Sequence, residues 1–297
     1  MAIQTATTGD LEQAQNIVIA AWRYTAENNA PCFNLIDHFT LGAGEKQYTF
    51  PKVGQATFLG LVDGVDMVDS QDIGLTYVTA TPSEVGAKFI LTDKLVRQAS
   101  EDAFTVIGRQ LGDGFTRKRE GDIITLFASL DYAWGADNAP LGMTQASGIV
   151  TLAAVYNFMP PIFVIHHPNA MGTLTKSNVG MLTNLGAVPS TAVAVSAITS
   201  QQQVSKLANF FVMSLNGATF YQTAAIPKIG ATDSGYGTIA SKGAMAIVES
   251  KAPYTARERD ESLRATEVVM ISDYIAVEVD GLMGASARYE IGNIRTT

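Results

Sequence analysis

Thr79-Ala80-Thr81-Pro82-Ser83-Glu84-Val85-Gly86-Ala87-Lys88-Phe89-Ile90-Leu91-Thr92-Asp93-Lys94-Leu95-Val96 is the stretch on which the fold turns. Val85, Ala87, Phe89 and Leu91 recur every second residue, the spacing that puts side chains on one face of a strand. At Thr92 the period changes. Leu95, Ala99, Ala103, Ile107, Leu111 and Phe115 recur at one-turn spacing, with Thr92 or Asp93 placed to cap the first turn. The periodicity runs on through Ile123 and Phe127, so a helix over about 93–128 is expected, roughly 50 Å long at 1.5 Å per residue. Gly112 and Gly114 are the positions at which it would bend.

Upstream, Tyr48 and Phe50 alternate with polar neighbours. A stretch containing Gly54, Gly60, Asp63, Gly64, Asp66, Asp69 and Asp72 then suits a solvent-reaching tip. Residues 45–91 therefore read as a long two-stranded loop. Before it, Leu11, Ala14, Ile17, Val18, Ala21 and Trp22 mark a short amphipathic helix within 9–29, ended by Asn28-Asn29 and Pro31.

Downstream, 144–157 and Ser200–Asn209 suit helices, while Ile162–His166 and Phe210–Leu215 suit strands. Ala244–Ser250, Tyr254–Asp260, Thr266–Ser272 and Tyr274–Val279 read as four more strands, the last closed by Asp280-Gly281. No internal repeat or linker divides the chain. The fold class is α+β.

Composition narrows the function. Of 297 residues, 47% are hydrophobic and only 16% charged, against roughly 25% charged in an ordinary soluble domain. Much of the surface is therefore expected to be buried against other copies. The mean hydropathy is +0.14, yet Asn157, Pro160 and Pro161 break the most apolar run, Ile149–Ile165, so no membrane span is expected. The first ten residues lack the basic start and apolar core of a signal peptide, which points to synthesis in a cytoplasm. Cys32 is the only cysteine, which excludes an intrachain disulfide and a thiolate zinc cage. A net charge of −8 opposes a phosphate-gripping surface.

Order and wording together resemble the major capsid proteins of tailed bacteriophages, on the Hong Kong ninety-seven coat-protein fold. Thr79–Val96 is similar to the passage where the family's extended loop returns into its spine helix, continuing through Arg109, Gly112-Asp113 and Arg117-Lys118-Arg119. Ala256–Asp260, Leu263–Glu267 and Tyr274–Val277 are similar to the family's late peripheral-domain strands. The resemblance implies an N-terminal arm and lead-in over 1–44, an extended loop over 45–91, and a spine helix with part of the peripheral domain over 92–143. An axial domain over 144–235 and a return to peripheral strands over 236–297 complete it.

What it implies of function is a structural subunit, without catalysis or cofactor, that assembles into pentamers and hexamers of an icosahedral head around the phage genome. Implied partners are further copies of the chain, a portal and a separate scaffold protein, with room for decoration proteins; packaged DNA would be touched weakly and without sequence preference. Some relatives have a long scaffolding segment that a protease removes, whereas here the arm begins almost at Met1. Others weld loop lysines to asparagines. Lys46 and Lys52 lie in the right region, but no asparagine or glutamate matches by position, and surface lysines are the preferred reading.

Candidate intersubunit contacts are Tyr48, Phe50 and Phe58 on the loop, and the charge strip Arg257, Glu258, Arg259, Asp260, Glu261, Arg264 and Glu267. Phe50→Asp is expected to impair assembly more than folding. Two enzyme-like features compete. His166-His167-Pro168 is read as a strand end, because neighbouring strand residues point to opposite faces and cannot share one ion; His38 is read as a partly exposed structural residue. Gly235-Tyr236-Gly237-Thr238-Ile239-Ala240 matches a dinucleotide fingerprint in spelling only, and is read as a flexible loop. The alternatives are a soluble oligomeric enzyme using His166 or His167, and a non-viral nanocompartment shell on the same fold.

Overall fold

The computed structural model describes residues 31–54, 58, 60, 63, 74–98, 103–184 and 211–292. The expected helices within 9–29 and over Ser200–Asn209, and most of the loop tip, lie outside the described residues. Twelve strands and four α-helices follow in order among those described. Strand β1 (Asp37–Thr40) leads to β2 (Tyr48–Lys52), β3 (Thr76–Ala80) and β4 (Ser83–Thr92). Helices α1 (Asp93–Gln98) and α2 (Ala103–Thr125), β5 (Tyr132–Gly135), α3 (Met143–Val155), β6 (Ile162–His166) and α4 (Pro168–Asn184) come next. The chain ends through β7 (Phe211–Leu215), β8 (Ala218–Gln222), β9 (Ser234–Ser241), β10 (Met245–Asp260), β11 (Ala265–Glu278) and β12 (Gly284–Glu290).

Two sheets organise these strands. The four-stranded sheet runs β1-β10-β11-β4 and the six-stranded sheet β5-β12-β9-β6-β8-β7, while β2 and β3 form a separate antiparallel ribbon. The expected change from strand to helix falls at Thr92, whose Oγ1 accepts from the Leu95 amide at 3.4 Å. That bond satisfies one of the amides a helix start leaves without a partner. The expected long helix is seen as α1 and α2, with residues 99–102 outside the description; α2 alone is about 35 Å long at 1.5 Å per residue.

Leu91, Leu111 and Val268 seal α2 onto the four-stranded sheet. Ile123, Phe127, Ile165, Met245 and Ile247 join α2 to both sheets in one core. Helices α3 and α4 cover the six-stranded sheet through Ile149, Met171 and Leu174, over Val164, Phe220 and Ile239.

Two readings need correction. The four late strands are two long ones, β10 and β11. Register shifts between Glu249, Lys251 and Tyr254 absorb Pro253, which has no amide to give to a ladder and so sits in a bulge. Gly235–Ala240 is no flexible loop either. It lies in β9, with antiparallel β6 and β12 on its two sides. Neither Gly235 nor Gly237 has a positive φ. A Cβ on Gly237 would lie 2.4 Å from the Ile165 carbonyl oxygen, so glycine is required there for close approach of strands. Only a three-residue 3-10 turn, Lys242–Ala244, and then β10 follow β9, and no α-helix does among the described residues, which removes the dinucleotide reading as well. The late residues 236–297 also divide, β10 and β11 entering the four-stranded sheet, β12 and most of β9 the six-stranded one.

Candidate assembly surfaces

The ribbon pairs Tyr48 with Ala80 and Phe50 with Val78. Its base is fixed to its own subunit. Phe50 meets Phe39 edge-on at 5.1 Å and Tyr48 at 4.7 Å, and packs with Leu41, Ala246 and Val248 until only 8% of it remains exposed. The aromatic rings prefer these tilted and edge-on arrangements because each ring's positive edge seeks another's negative face. Phe50 and Tyr48, expected to anchor on a neighbour, thus belong to this subunit's packing; β1 and β10, distant in sequence, supply the partners. Lys52 Nζ stands 2.5 Å from Asp280 Oδ1 and ties the end of β2 to the end of β11.

Around that ion pair the apolar residues change sides. Tyr77, opposite Pro51, is exposed to 60%, and beyond the pair Val53 and Leu75 are exposed as well. Phe58 is exposed to 96%. Val53, Leu75 and Tyr77 were not singled out from sequence, though Tyr77 alternates with Val78 in the manner of a strand with two different faces.

The charge strip is largely closed within the subunit. Arg259 grips Asp93 through Nη1 and Nη2 at 3.1 and 3.0 Å, and its Nε donates to Glu261 at 2.6 Å. These carboxylates hold its guanidinium more firmly protonated than usual. Glu267 pairs across strands with Lys88 at 2.5 Å. Asp260 Oδ1 accepts from the Ser262 hydroxyl and from the Ser262 and Leu263 amides, which builds the β10–β11 turn and lowers its pKa. Arg264 closes that turn with a φ of 48°. Arg257, Glu258, Glu261 and Arg264 are exposed along the strip.

The histidines fit a strand end. His166 is fully buried, its Nδ1 accepting from the His167 amide at 2.9 Å, and His167 Nδ1 accepts from the Asn169 amide at 3.2 Å. Burial pushes the His166 pKa down to about 3 and lowers that of His167, so both rings are neutral near pH 7. Among the described residues no three histidine, cysteine or acidic side chains are grouped to hold a metal ion. His38 is exposed and its Nε2 lies 2.7 Å from the Phe33 carbonyl oxygen.

One polar hub on α2 escaped the reading of the sequence. Arg119 lies over Phe33 at 3.4 Å and pairs with Glu249 at 2.9 Å. Asp122 accepts from the Tyr274 hydroxyl at 2.8 Å. Between them, Glu120 is buried, which raises its pKa, and accepts from the Cys32 amide at 3.5 Å. One turn of α2 thus fastens the lead-in at Cys32–Asn34 and strands β10 and β11. Its signal in the sequence was a charged run inside an apolar periodicity, without its partners.

A second exposed apolar area lies on the other sheet, with Trp134 on the edge strand β5 and Val155, Tyr156 and Met159 at the end of α3 and just after it.

Comparison with known proteins agrees with this architecture. The chain resembles the mature capsid of bacteriophage PhiM1, with 13% identity, TM-score 0.62, and 89% of this chain and 88% of that one covered. The head structure of Helicobacter pylori bacteriophage KHP40 is similar over 90% of this chain and 92% of that one, with 9% identity and TM-score 0.63. The SrpI encapsulin of Synechococcus elongatus PCC 7942 aligns over 100% of this chain and 99% of that one, with 10% identity and TM-score 0.62. At such identities these likenesses establish the fold. Among curated proteins no sequence matches. Residues 76–282 match the model of a family described as phage capsid protein. That match spans well over half of the chain, on a fold shared with phage heads, and the chain belongs to the phage capsid protein family.

Proposed function

We propose that this chain is the major coat subunit of a tailed phage, forming pentamers and hexamers that close into an icosahedral head around the genome. The observation that carries this is the ribbon: apolar residues fill its base from within the subunit, while Val53, Phe58, Leu75 and Tyr77 stand exposed farther out. Leaving such side chains in water is unfavourable by roughly 25 cal/mol per Å². A neighbouring copy that covers them recovers this energy. Head-to-tail contacts of one surface on a different one generate rings, as pentamers and hexamers require.

On this reading residues 45–91 act as the extended loop, 92–143 as spine helix and peripheral part, and 144–235 as the bulk of the axial domain. Synthesis takes place in the host cytoplasm, and a portal and a separate scaffold protein join the assembly. Packaged DNA is touched weakly, because a net charge of −8 offers little to phosphates. Neither histidine is needed for chemistry; His167→Gln should leave particle formation intact. A stoichiometric metal lost with that change would overturn the non-catalytic reading.

The test is the size of the purified full chain. Capsomers or megadalton shells with five- and six-fold rings in electron micrographs are expected; a stable dimer or tetramer at high concentration would sink the proposal. The full-length likeness to an encapsulin supports one second reading, a nanocompartment shell. Particles recovered from the natural source distinguish the two, since a head contains genome-length DNA and a compartment contains protein.

A further inference from the structure

The turn that joins β6 to α4 holds a fully buried histidine where three parts of the chain meet. His166 Nδ1 accepts from the His167 amide at 2.9 Å, and His167 Nδ1 accepts from the Asn169 amide at 3.2 Å. The Asn169 side-chain amide in turn donates to the Ile291 and Gly292 carbonyls at 3.0 and 2.8 Å. One short turn therefore starts α4 and fastens the end of the described chain.

An accepting Nδ1 puts the ring's own proton on Nε2, and that nitrogen is buried without a hydrogen-bond partner. The site offers little to a second proton. On the ring's face of the sheet lie Gln222 of β8, Gly235 and Gly237 of β9, and Ala287 and Tyr289 of β12. Tyr289 meets the ring edge-on at 5.9 Å, and burial keeps its phenol protonated. Helix α3 has no titratable residue and α4 only the exposed Lys176. The Ala287 and Gly235 carbonyls favour a charged ring, but neither completes a bond to Nε2. Among the described residues no carboxylate acts on it. The ring also lies flush on β9, since a Cβ on Gly237 would collide with it.

We propose that the β6–α4 turn is an acid-released clasp: a proton taken up at His166 Nδ1 breaks the bond to the His167 amide, frees the turn, and loosens Asn169 from Ile291 and Gly292. The packing of α2 on the four-stranded sheet is kept, because the cluster that seals it does not include this turn. Opening brings the ring into water, where its pKa returns from about 3 to the ordinary 6.5. Closing therefore expels a proton. The stability so contributed is complete above pH 6.5 and is lost as the pH falls toward 3. His167, half-buried and lowered in the same direction, adds to it. The clasp lies within one subunit, so the inference does not depend on the coat reading.

Hydrogen exchange of the full chain, read by mass spectrometry and corrected for the intrinsic effect of pH on exchange, tests it. From pH 7 to 4.5, protection of 162–174 and 284–292 should fall up to about a hundredfold, the ratio set by one ring moving between those two values. Protection of 107–125 and 265–275 should change far less. His166→Asn keeps an acceptor in place of Nδ1 but takes up no proton, so most of the acid loss should vanish, whatever stability the smaller side chain costs at pH 7. Unchanged protection in the unaltered chain, an equal loss throughout the molecule, or the full acid loss persisting in His166→Asn overturns the clasp. Should that variant fail to fold, the unaltered ring decides. In nitrogen-15 histidine spectra of the folded chain at pH 5, His166 should still be neutral with its proton on Nε2; a folded ring that titrates near 6.5 refutes the inference.

Discussion

Phe50 at the base of the ribbon and Phe58 beyond its outer end are the same residue type, eight positions apart in one loop. Phe50 is packed by Phe39, Leu41, Ala246 and Val248, whereas Phe58 is almost wholly in solvent. The difference teaches that a loop of this kind has two jobs divided along its length. Its base belongs to the folding of the subunit, and its outer part, on the function proposed above, offers surface for another chain.

The largest effect that can break this division is a charge at the base. Phe50→Asp should cost at least the roughly 3–5 kcal/mol of a Phe→Ala core truncation, with the burden of an unpaired buried carboxylate added. Insoluble expression, or a large drop in the denaturant midpoint of the subunit, is the expected outcome. This reverses the expectation from sequence that Phe50 matters chiefly for assembly. Phe58→Asp should leave subunit stability within about 0.5 kcal/mol, as exposed substitutions do, yet reduce the yield of shells by light scattering. Equal destabilisation by the two changes would erase the distinction between base and outer end.

Proteolysis sharpens the same contrast without mutation. Cleavage requires local opening of the backbone, and a two-stranded ribbon is marginally stable without a supporting surface. Cuts should cluster between Gly54 and Asp72 in free subunits and be largely suppressed in particles, while Tyr48–Phe50 resists in both. Equal protection of the outer loop in both forms would mean that it packs within its own subunit.

How far the sequence reveals these features depends on whether a signal is local. The β4–α1 boundary was legible because a period of two changes to a period of about four at a capping threonine. Ile162–His166 was legible because a short apolar run ends at a proline. The strand β9 was not, since Gly235 and Gly237 resemble loop residues until Ile165 and His166 are seen pressed against them. Helix α4 escaped because, among its described side chains, only Ala170, Met171 and Leu174 are buried, amid polar residues and two glycines. The alternation of Tyr48 and Phe50 announced a buried strand face. It did not say which surface buries it, because Phe39 and Val248 arrive from other parts of the chain.

The smallest effect concerns the border between the two halves of the ribbon, where Lys52 meets Asp280. Both side chains are partly exposed, so their attraction is screened by water and ions, and such pairs contribute no more than about 1 kcal/mol. Lys52→Ala should therefore lower subunit stability only slightly, and the loss should shrink as salt is raised, since the Debye length falls from about 10 Å at 0.1 M to 3 Å at 1 M. Its consequence for the loop is larger than its energy suggests. The pair is the last described ion pair before the exposed outer stretch, and releasing it lets the strands separate from that end inward. Proteolysis of free Lys52→Ala subunits should then begin nearer to Lys52 than in the unaltered chain, with Phe50 still resistant. If the first cuts stay beyond Gly54, the border is set by the aromatic packing at the base and the ion pair has no part in it.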